Sequence, residues 1–484
     1  MKRSLKKQIP AINDIRKVLA ERSLVEYTQQ AWKIIEPTTE YIHGWHIDAI
    51  CEHLEAITSG ELRNLIITMP PRFMKSILVS VMWPTWGWIR NPELRWLYSS
   101  YAETLSVRDS VKSRRIIQSS WYQNNWGNKY HLTSDQNVKS RYENNKTGYR
   151  IATSVGGSAT GEGGDVVVVD DPHNVNEASS DKVREATVLW WDQVMSTRLN
   201  NPKTSSKVIV MQRIHENDLV GHVLRQGGYE HLCLPAEYEG KRKSYTSIGW
   251  EDPREKEGDL LWPERFGTQE IVEAKKRLGS IGYAGQFQQS PSPASGAILK
   301  REWWQYYRIP PVRFDMLIQS WDMAFKDTKT SAYVVGQVWG KVGPDKYLLD
   351  QVRDKMDFVA TLNAFKALTA KWPKCTAKLI EDTANGPAVI SSLKNHISGI
   401  IPVKPQGSKE ARAYAISPEV ESRHVWLPES APWINDFVEE TSKFPNSEYK
   451  DQTDALTQAL NWFVDNSEGI DPFAQALASS LRVY

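Results

Sequence analysis

Four consecutive valines, Val166 to Val169, followed at once by Asp170, Asp171 and Pro172, set the tightest limit on how this 484-residue chain can fold. A strand points successive side chains to opposite faces, so a run with no polar alternate needs apolar cover on both. That is the condition of an interior strand in a parallel sheet with helices on each side. Residues 65–67, 95–101, 148–153 and 207–211 read as further strands, and residues 12–35, 45–57 and 180–199 as helices. Strands alternating with helices argue for an α/β fold class.

The strand Leu65-Ile66-Ile67 runs on through Met69-Pro70-Pro71-Arg72-Phe73-Met74 to Lys75-Ser76 and an apolar stretch that suits a helix. Strand, tight loop, Lys-Ser, helix is the layout of a phosphate-binding loop, where backbone N–H groups and a helix N-terminus face an anion. In that layout Pro71, Arg72, Phe73 and Met74 form the cradle. Lys75 reaches the β- and γ-phosphates, Ser76 binds Mg2+, and Arg72 is placed to touch the γ-phosphate. Met69 and Met74 stand where the usual pattern has glycine, so the loop gives up glycine's freedom at positive φ. Alone, a Lys-Ser pair after a proline turn reads equally well as an ordinary surface loop. The valine strand shifts that balance. An acid at the carboxyl end of a buried strand beside a phosphate loop is where the Mg2+ of a nucleotide is held. This assigns Asp170 to the ion and Asp171 to orienting the attacking water; the bland alternative is that Asp-Asp-Pro is only a turn. Arg213, just past the strand at 207–211, either senses the γ-phosphate or is a surface charge.

A formal net charge of +2 excludes a strong global field toward nucleic acid, so DNA contacts must rest on local basic patches. Cys51, Cys233 and Cys375 are far apart and form no metal or disulfide pattern, which fits a reducing cytoplasm. His43, His46, Cys51 and His53 stand close together, but Cys51 falls on the apolar face of the helix at 45–57 and no second ligand pair follows, so zinc is not expected. The basic start, Met1 to Lys7, has no apolar h-region after it, and no run is long enough to span a bilayer.

A second α/β block begins near residue 316, after Ser290-Pro291-Ser292-Pro293-Ala294-Ser295-Gly296, which reads as a domain boundary. Asp322 ends one apolar strand, Glu381 and Asp382 end another, and Asp451 and Asp454, three apart, share a helix face. Carboxylates converging from two strands and a helix suit two divalent ions, about 4 Å apart, that activate water and stabilise the leaving oxygen in phosphodiester cleavage. Oxygen ligands favour Mg2+ or Mn2+. This is the layout of an RNase H-like nuclease. Neighbours on a strand face opposite ways, so only one of Glu381 and Asp382 is expected to ligate directly. The pattern leaves that choice open, as it does between Asp451 and Asp454.

Taken together, Pro70 to Ser76, Gly161 with Asp170-Asp171-Pro172, Gln212 to Leu219, Glu381-Asp382-Thr383-Ala384-Asn385-Gly386 and Asp451 to Leu456 resemble, in order, the large terminase subunit of tailed bacteriophages. The resemblance implies an N-terminal P-loop ATPase with a mostly parallel sheet and a C-terminal RNase H-like nuclease with a mixed sheet. It implies ATP with Mg2+ at the first centre and two Mg2+ or Mn2+ ions at the second. ATP hydrolysis would translocate double-stranded DNA into a procapsid, and the endonuclease would cut concatemeric DNA. The implied partners are double-stranded DNA, a portal protein, a small terminase subunit and copies of the chain in a homo-oligomeric ring on the procapsid, with no membrane. The implied place is the host cytoplasm, transiently at the portal, and not the mature virion. An arginine from a neighbouring subunit would complete the ATP site, with Arg150, Arg184 and Arg198 as candidates. Trp45-His46 would correspond to the adenine-contacting segment. Where the family often has His-Asp-Asp, this chain has Tyr449-Lys450-Asp451, so one acid of the pair is missing.

The expected organisation is a helical arm at 1–40, the ATPase domain at 41–235, a linker region at 236–300, the nuclease domain at 301–466 and a tail at 467–484. Two other readings fit the motifs: a helicase–nuclease or recombination enzyme acting away from a capsid, and a non-catalytic DNA-binding assembly protein with decayed sites.

Overall fold

The computed structural model describes residues 12–157, 161–175, 177, 180–291, 297–323, 333–383 and 386–466. The basic start, residues 158–160 of the glycine-rich loop, residues 292–296 of the expected domain boundary, Ala384 and Asn385 of the motif after Glu381, and the tail from residue 467 lie outside the described residues. The chain divides into two compact units, residues 1–275 with 281–293, and residues 276–280 with 294–484.

In the first unit the strands are β1 (Asn64–Thr68), β2 (Trp96–Ser100), β3 (Leu132–Asn137), β4 (Arg141–Asn144), β5 (Tyr149–Ser154), β6 (Val166–Asp170), β7 (Ser206–Met211) and β8 (Glu230–Cys233). They form one sheet in the order β3-β4-β5-β2-β6-β7-β1-β8. From β5 to β8 every pairing is parallel, and only the β3-β4-β5 edge is antiparallel. The helices are α1 (Ile12–Arg22), α2 (Leu24–Ile35), α3 (Trp45–Ser59), α4 (Trp83–Arg90), α5 (Glu103–Gln118), α6 (Ser120–Trp126), α7 (Asp181–Gln193), α8 (Leu219–Gln226) and α9 (Thr268–Gln286).

The valine run behaves as its composition requires. Val167 and Val169 join Ile66, Leu97 and Ile209 in a cluster closed by Trp190 and Trp191 of α7 and Leu219, Val220 and Val223 of α8. Val168 is fully buried, and the opposite face is covered by α3, α5 and the turn after the lysine loop. Carboxyl-terminal strand ends therefore gather at one sheet edge, where β1, β6 and β7 deliver their loops.

The stretch after Ser76 departs from the expected α-helix. Ile77–Met82 is a π-helix, and α4 follows it directly. Pro84, at the start of α4, has no N–H to give the Ser80 carbonyl. That oxygen instead accepts from the Arg150 guanidinium at 2.9 Å and the Ser113 hydroxyl at 3.2 Å. The wider turn closes with the Trp83 N–H on the Leu78 carbonyl. Within residues 236–300, read as a linker region from their Pro, Gly and charge content, 236–288 are packed structure: Leu261 and Trp262 are buried and α9 lies among them. Their apolar residues are spaced too irregularly to show a period.

In the second unit the strands are β9 (Gln305–Tyr307), β10 (Met316–Met323), β11 (Val334–Val342), β12 (Asp345–Asp354), β13 (Ala377–Glu381), β14 (Ile400–Val403) and β15 (Val425–Pro428), in the order β14-β13-β10-β11-β12-β15-β9. The sheet is mixed: β10-β11-β12 is antiparallel and the flanking pairs are parallel. Its helices are α10 (Phe358–Lys371), α11 (Gly386–Leu393), α12 (Lys409–Glu421), α13 (Ile434–Lys443) and α14 (Asp451–Asp465). One apolar cluster holds Trp321 and Ile380 with α10 and α11; another holds Ile318 and Leu379 with α12, α13 and α14. Period-two alternation thus sends Ile318, Ser320 and Asp322 to the α14 side, and the Ser320 hydroxyl donates to the Ala455 carbonyl at 2.8 Å. Among the described residues no helix is long and apolar enough to cross a membrane.

Gly336 leaves room for the Trp321 ring, one residue before Asp322. A Cβ there would meet ring atoms at 2.6–2.7 Å. Gly336→Ala is expected to destabilise the chain by about 1–3 kcal/mol through overpacking, read as a lower urea midpoint followed by far-ultraviolet circular dichroism.

Candidate active sites

The first centre forms where β1, β6 and β7 end. Lys75 is 5% exposed, and its Nζ lies 2.9 Å from Asp171 Oδ2. Ser76 Oγ donates to Asp170 Oδ1 at 3.0 Å, and Ser80 Oγ donates to Asp170 Oδ2 at 2.7 Å. The Lys-Ser loop and the two acids after the valine strand are therefore one cluster.

Three non-glycine residues here take left-handed backbone: Arg72 at φ 71°, Met74 at φ 70° and Asp171 at φ 45°. Such conformations cost about 1–2 kcal/mol each and persist where surrounding bonds over-determine them. Asp171 is pinned on both sides, its N–H on the Val210 carbonyl at 2.8 Å and its carbonyl accepting from Tyr101 at 3.1 Å. The loop thus keeps glycine-like geometry without glycine at Met74. Met69 is not bent this way. It is fully buried and donates its N–H to the Met211 carbonyl. Phe73 is buried and stacks on Phe266, with ring centroids 4.3 Å apart, while Arg72 is exposed and Pro71 is half-buried.

Asp170 is 6% exposed, and its carboxyl is pushed up to about 7, first by burial, then by Asp171 and Asp109; Lys75 and the Ser80 hydroxyl pull it down. A buried carboxylate carrying that much unfavourable charge suits a divalent cation, and with Ser76 it supplies the hard oxygen donors Mg2+ takes. Ser80 and Asp109 were not singled out from the sequence, although Ser80 stands four residues after Ser76. Gln212 enters the sequence reading only within the Gln212 to Leu219 motif. Because β7 lies between β1 and β6, Gln212 falls beside the acids, and its N–H donates to Asp171 Oδ1 at 3.2 Å. Arg213, by contrast, is bound within its own loop. Its Nε meets both oxygens of Asp218 at 3.0 and 2.9 Å, and Asp218 caps α8. That occupies it structurally rather than at the γ-phosphate. His46 is buried against Trp262 and Phe73, and Trp45 stacks on Trp250.

The second centre lies on the α14 side of the second sheet. Asp322, 7% exposed, has its carboxyl raised well above the ordinary range by burial, then by Asp454, Asp451 and Glu381, with Lys409 opposing. Ala377, Leu379 and Glu381 share a strand face with Asp322's partners on α14, which places Glu381 toward the cluster and leaves Asp382 off it. Asp382 donates its N–H to the Val403 carbonyl. Asp451 and Asp454 are both buried in the first turn of α14. Burial raises Asp451, against the pull of Lys409. Asp454 is paired with Lys409 and, at 2.9 Å, with Arg412, one turn apart on α12. The all-oxygen donor set has the chemistry of a Mg2+ or Mn2+ site. Its geometry is different from the open carboxylate cage expected: among the described residues no three His, Cys, Asp or Glu side chains are gathered closely enough to hold an ion, and two basic side chains hold Asp454 instead.

A phosphate-loop unit with a mostly parallel sheet and an RNase H-like unit with a mixed sheet define the class, an α/β chain of two units. Residues 319–463 match the family described as the terminase RNaseH-like domain. Solved structures of the large terminase of a thermophilic bacteriophage are similar in fold. Its ADP complex is 9% identical with a TM-score of 0.52, covering 85% of this chain and 98% of that one. A second crystal form is 9% identical with a TM-score of 0.53 over the same shares, and a complex with ATP-γ-S is 10% identical with a TM-score of 0.50, covering 84% and 98%. The comparison with curated proteins finds no match. The chain has the fold of a phage large terminase subunit, with a terminase RNase H-like domain at its C-terminal side.

Asp170 generates a pH prediction. Its folded value of about 7 lies above the ordinary 3.8. Between those values the folded chain keeps a proton that the unfolded chain has lost, so this group's contribution to stability falls as pH rises through that window. In EDTA, Asp170→Asn is expected to melt higher than the parent at pH 8, with the gap closing toward pH 4. A gap that stays constant across this range refutes the assignment.

Proposed function

We propose that this chain is a DNA-packaging motor and cutter: ATP hydrolysis in the first unit drives translocation of double-stranded DNA into a procapsid, and the second unit cuts concatemeric DNA. The observation that carries the motor half is the cluster of Lys75 on Asp171 with Ser76 on Asp170. The cutter half rests on the terminase RNase H-like match over residues 319–463 together with the Asp322 cluster.

In the motor, the cradle at Pro71 to Met74 takes the phosphates, and Lys75 exchanges Asp171 for the β- and γ-phosphates. Asp171, released, orients the attacking water. Arg72, exposed in the loop, reaches the γ-phosphate. Mg2+ would be held by Ser76 and Asp170, where it draws charge from the phosphate oxygens. The solved large terminase of the thermophilic phage, with ADP and with ATP-γ-S, supports nucleotide use by this fold. Of the three arginines considered for a neighbouring subunit's site, Arg150 and Arg184 are 1% and 3% exposed within their own chain, which favours Arg198.

In the cutter, Asp322, Glu381, Asp454 and Asp451 would hold Mg2+ or Mn2+, in two positions, to activate water on a phosphodiester, once Lys409 and Arg412 release Asp454 and the carboxylates draw together around the ions. DNA held through its phosphates gives affinity that falls steeply with salt and depends little on sequence. The partners proposed are a portal protein, a small terminase subunit and a ring of copies on the procapsid, in the host cytoplasm.

Lys75→Ala is expected to cut ATP turnover by at least about 100-fold; turnover near the parent's level removes the phosphate-loop assignment. Asp322→Asn is expected to stop plasmid cleavage in Mn2+ while ATP turnover stays within about twofold, since the residue lies in the other unit. Undiminished cutting by that variant refutes its role.

A further inference from the structure

Arg150 sits in β5 and is 1% exposed. Burying a guanidinium is costly unless charge or hydrogen bonds compensate. Yet no ion pair within 4 Å involves it among the described residues, and its Nε and Nη1 have no hydrogen-bond partner. Among the described residues its side chain donates from Nη2 to the Ser80 carbonyl at 2.9 Å, and its guanidinium lies 4.3 Å from the Tyr98 ring centroid.

Ser80 is the residue whose hydroxyl holds Asp170 Oδ2. The two ends of Ser80 thus connect Arg150 to the acid at the nucleotide site. A small cavity with room for about one water separates them more directly. It is lined by Arg150, Ser80, Ser99, Asp109 and Asp170, among others. Ser99 Oγ is also buried and unpartnered. A water there would have the two to four polar partners it needs, and it would join the unused guanidinium donors to carboxylate oxygens.

We infer that Arg150 is a positioning residue for the nucleotide-bound cation: it fixes the Ser80 carbonyl and, through one buried water, the Asp170 carboxylate, so that Oδ1 faces Ser76 and the ion. This rests on the proposed ATP site. Arg108, paired with Asp109 at 2.9 Å, and Lys75 already offset part of the repulsion between Asp170 and Asp109; the Arg150 charge adds to theirs without occupying an oxygen that the ion would use.

Free Mn2+ measured by electron paramagnetic resonance, in the full chain carrying Asp322→Asn to disable the second centre and read as the binding that ADP adds beyond ADP's own, tests the inference without depending on turnover. Arg150→Met keeps the stem's length and removes the charge. It is expected to weaken Mn2+ binding by about tenfold or more, as loss of groups behind a metal ligand does, while ADP binding without metal changes little. Arg150→Lys is expected to recover part of the loss. Ser80→Ala, which removes only the hydroxyl, gives a second reading if Arg150→Met fails to fold, and should weaken Mn2+ binding in the same direction. Parent-like Mn2+ affinity in the folded variants overturns the inference and leaves the ATP site standing. A parent chain that binds no Mn2+ with ADP overturns both.

Discussion

Asp170 ends a strand whose every residue is buried, and its carboxylate is gripped from both sides by hydroxyls of one helical segment, Ser76 on Oδ1 and Ser80 on Oδ2. Hydrogen bonds to the charged form favour it, while burial and two neighbouring acids oppose it. The second set prevails, and the carboxyl rises to about 7. The loop carrying Lys75, the widened turn and the three parallel strands all converge on this uncompensated charge. A cation is the simplest relief for it, and the proposed motor chemistry follows from where that cation would lie.

The second unit handles the same difficulty differently. Asp322, Asp451 and Asp454 repel one another in a buried place, and the chain supplies Lys409 and Arg412 as fixed counter-charges. Removing one partner of a buried pair is strongly destabilising because it strands the other. Both centres therefore store excess negative charge, one beside a loop built for phosphate and the other beneath a helix with basic residues.

The fold was legible wherever burial left a pattern. The unbroken valines dictated an interior parallel strand, and the acids at strand ends marked both centres. Tertiary override hid the rest. No period in 236–288 announces that Trp262 will be buried, and nothing local in Ile77 to Met82 distinguishes a π-helix from an α-helix. The cause, Pro84 freeing the Ser80 carbonyl for Arg150, joins residues far apart in sequence. Glu381 could be separated from Asp382 only once Leu379 and Ile380 were seen in different clusters. Arg213 looked available because its partner, Asp218, is five residues on, and a capping acid is indistinguishable from any other in the sequence.

The π-turn at Ile77–Met82 has a further implication for lineage and tolerance. A helix with one such turn is equivalent to a regular helix that has gained a residue without passing the extra rotation down its length. A single deletion there would restore ordinary winding and leave the phase of everything beyond it unchanged, whereas the same deletion in a regular α-helix turns the remainder by about 100°. Trp83, Trp86 and Trp88, all buried in α4, would keep their neighbours. Within this helix the π-turn is therefore where the chain can shorten by one residue without repacking α4.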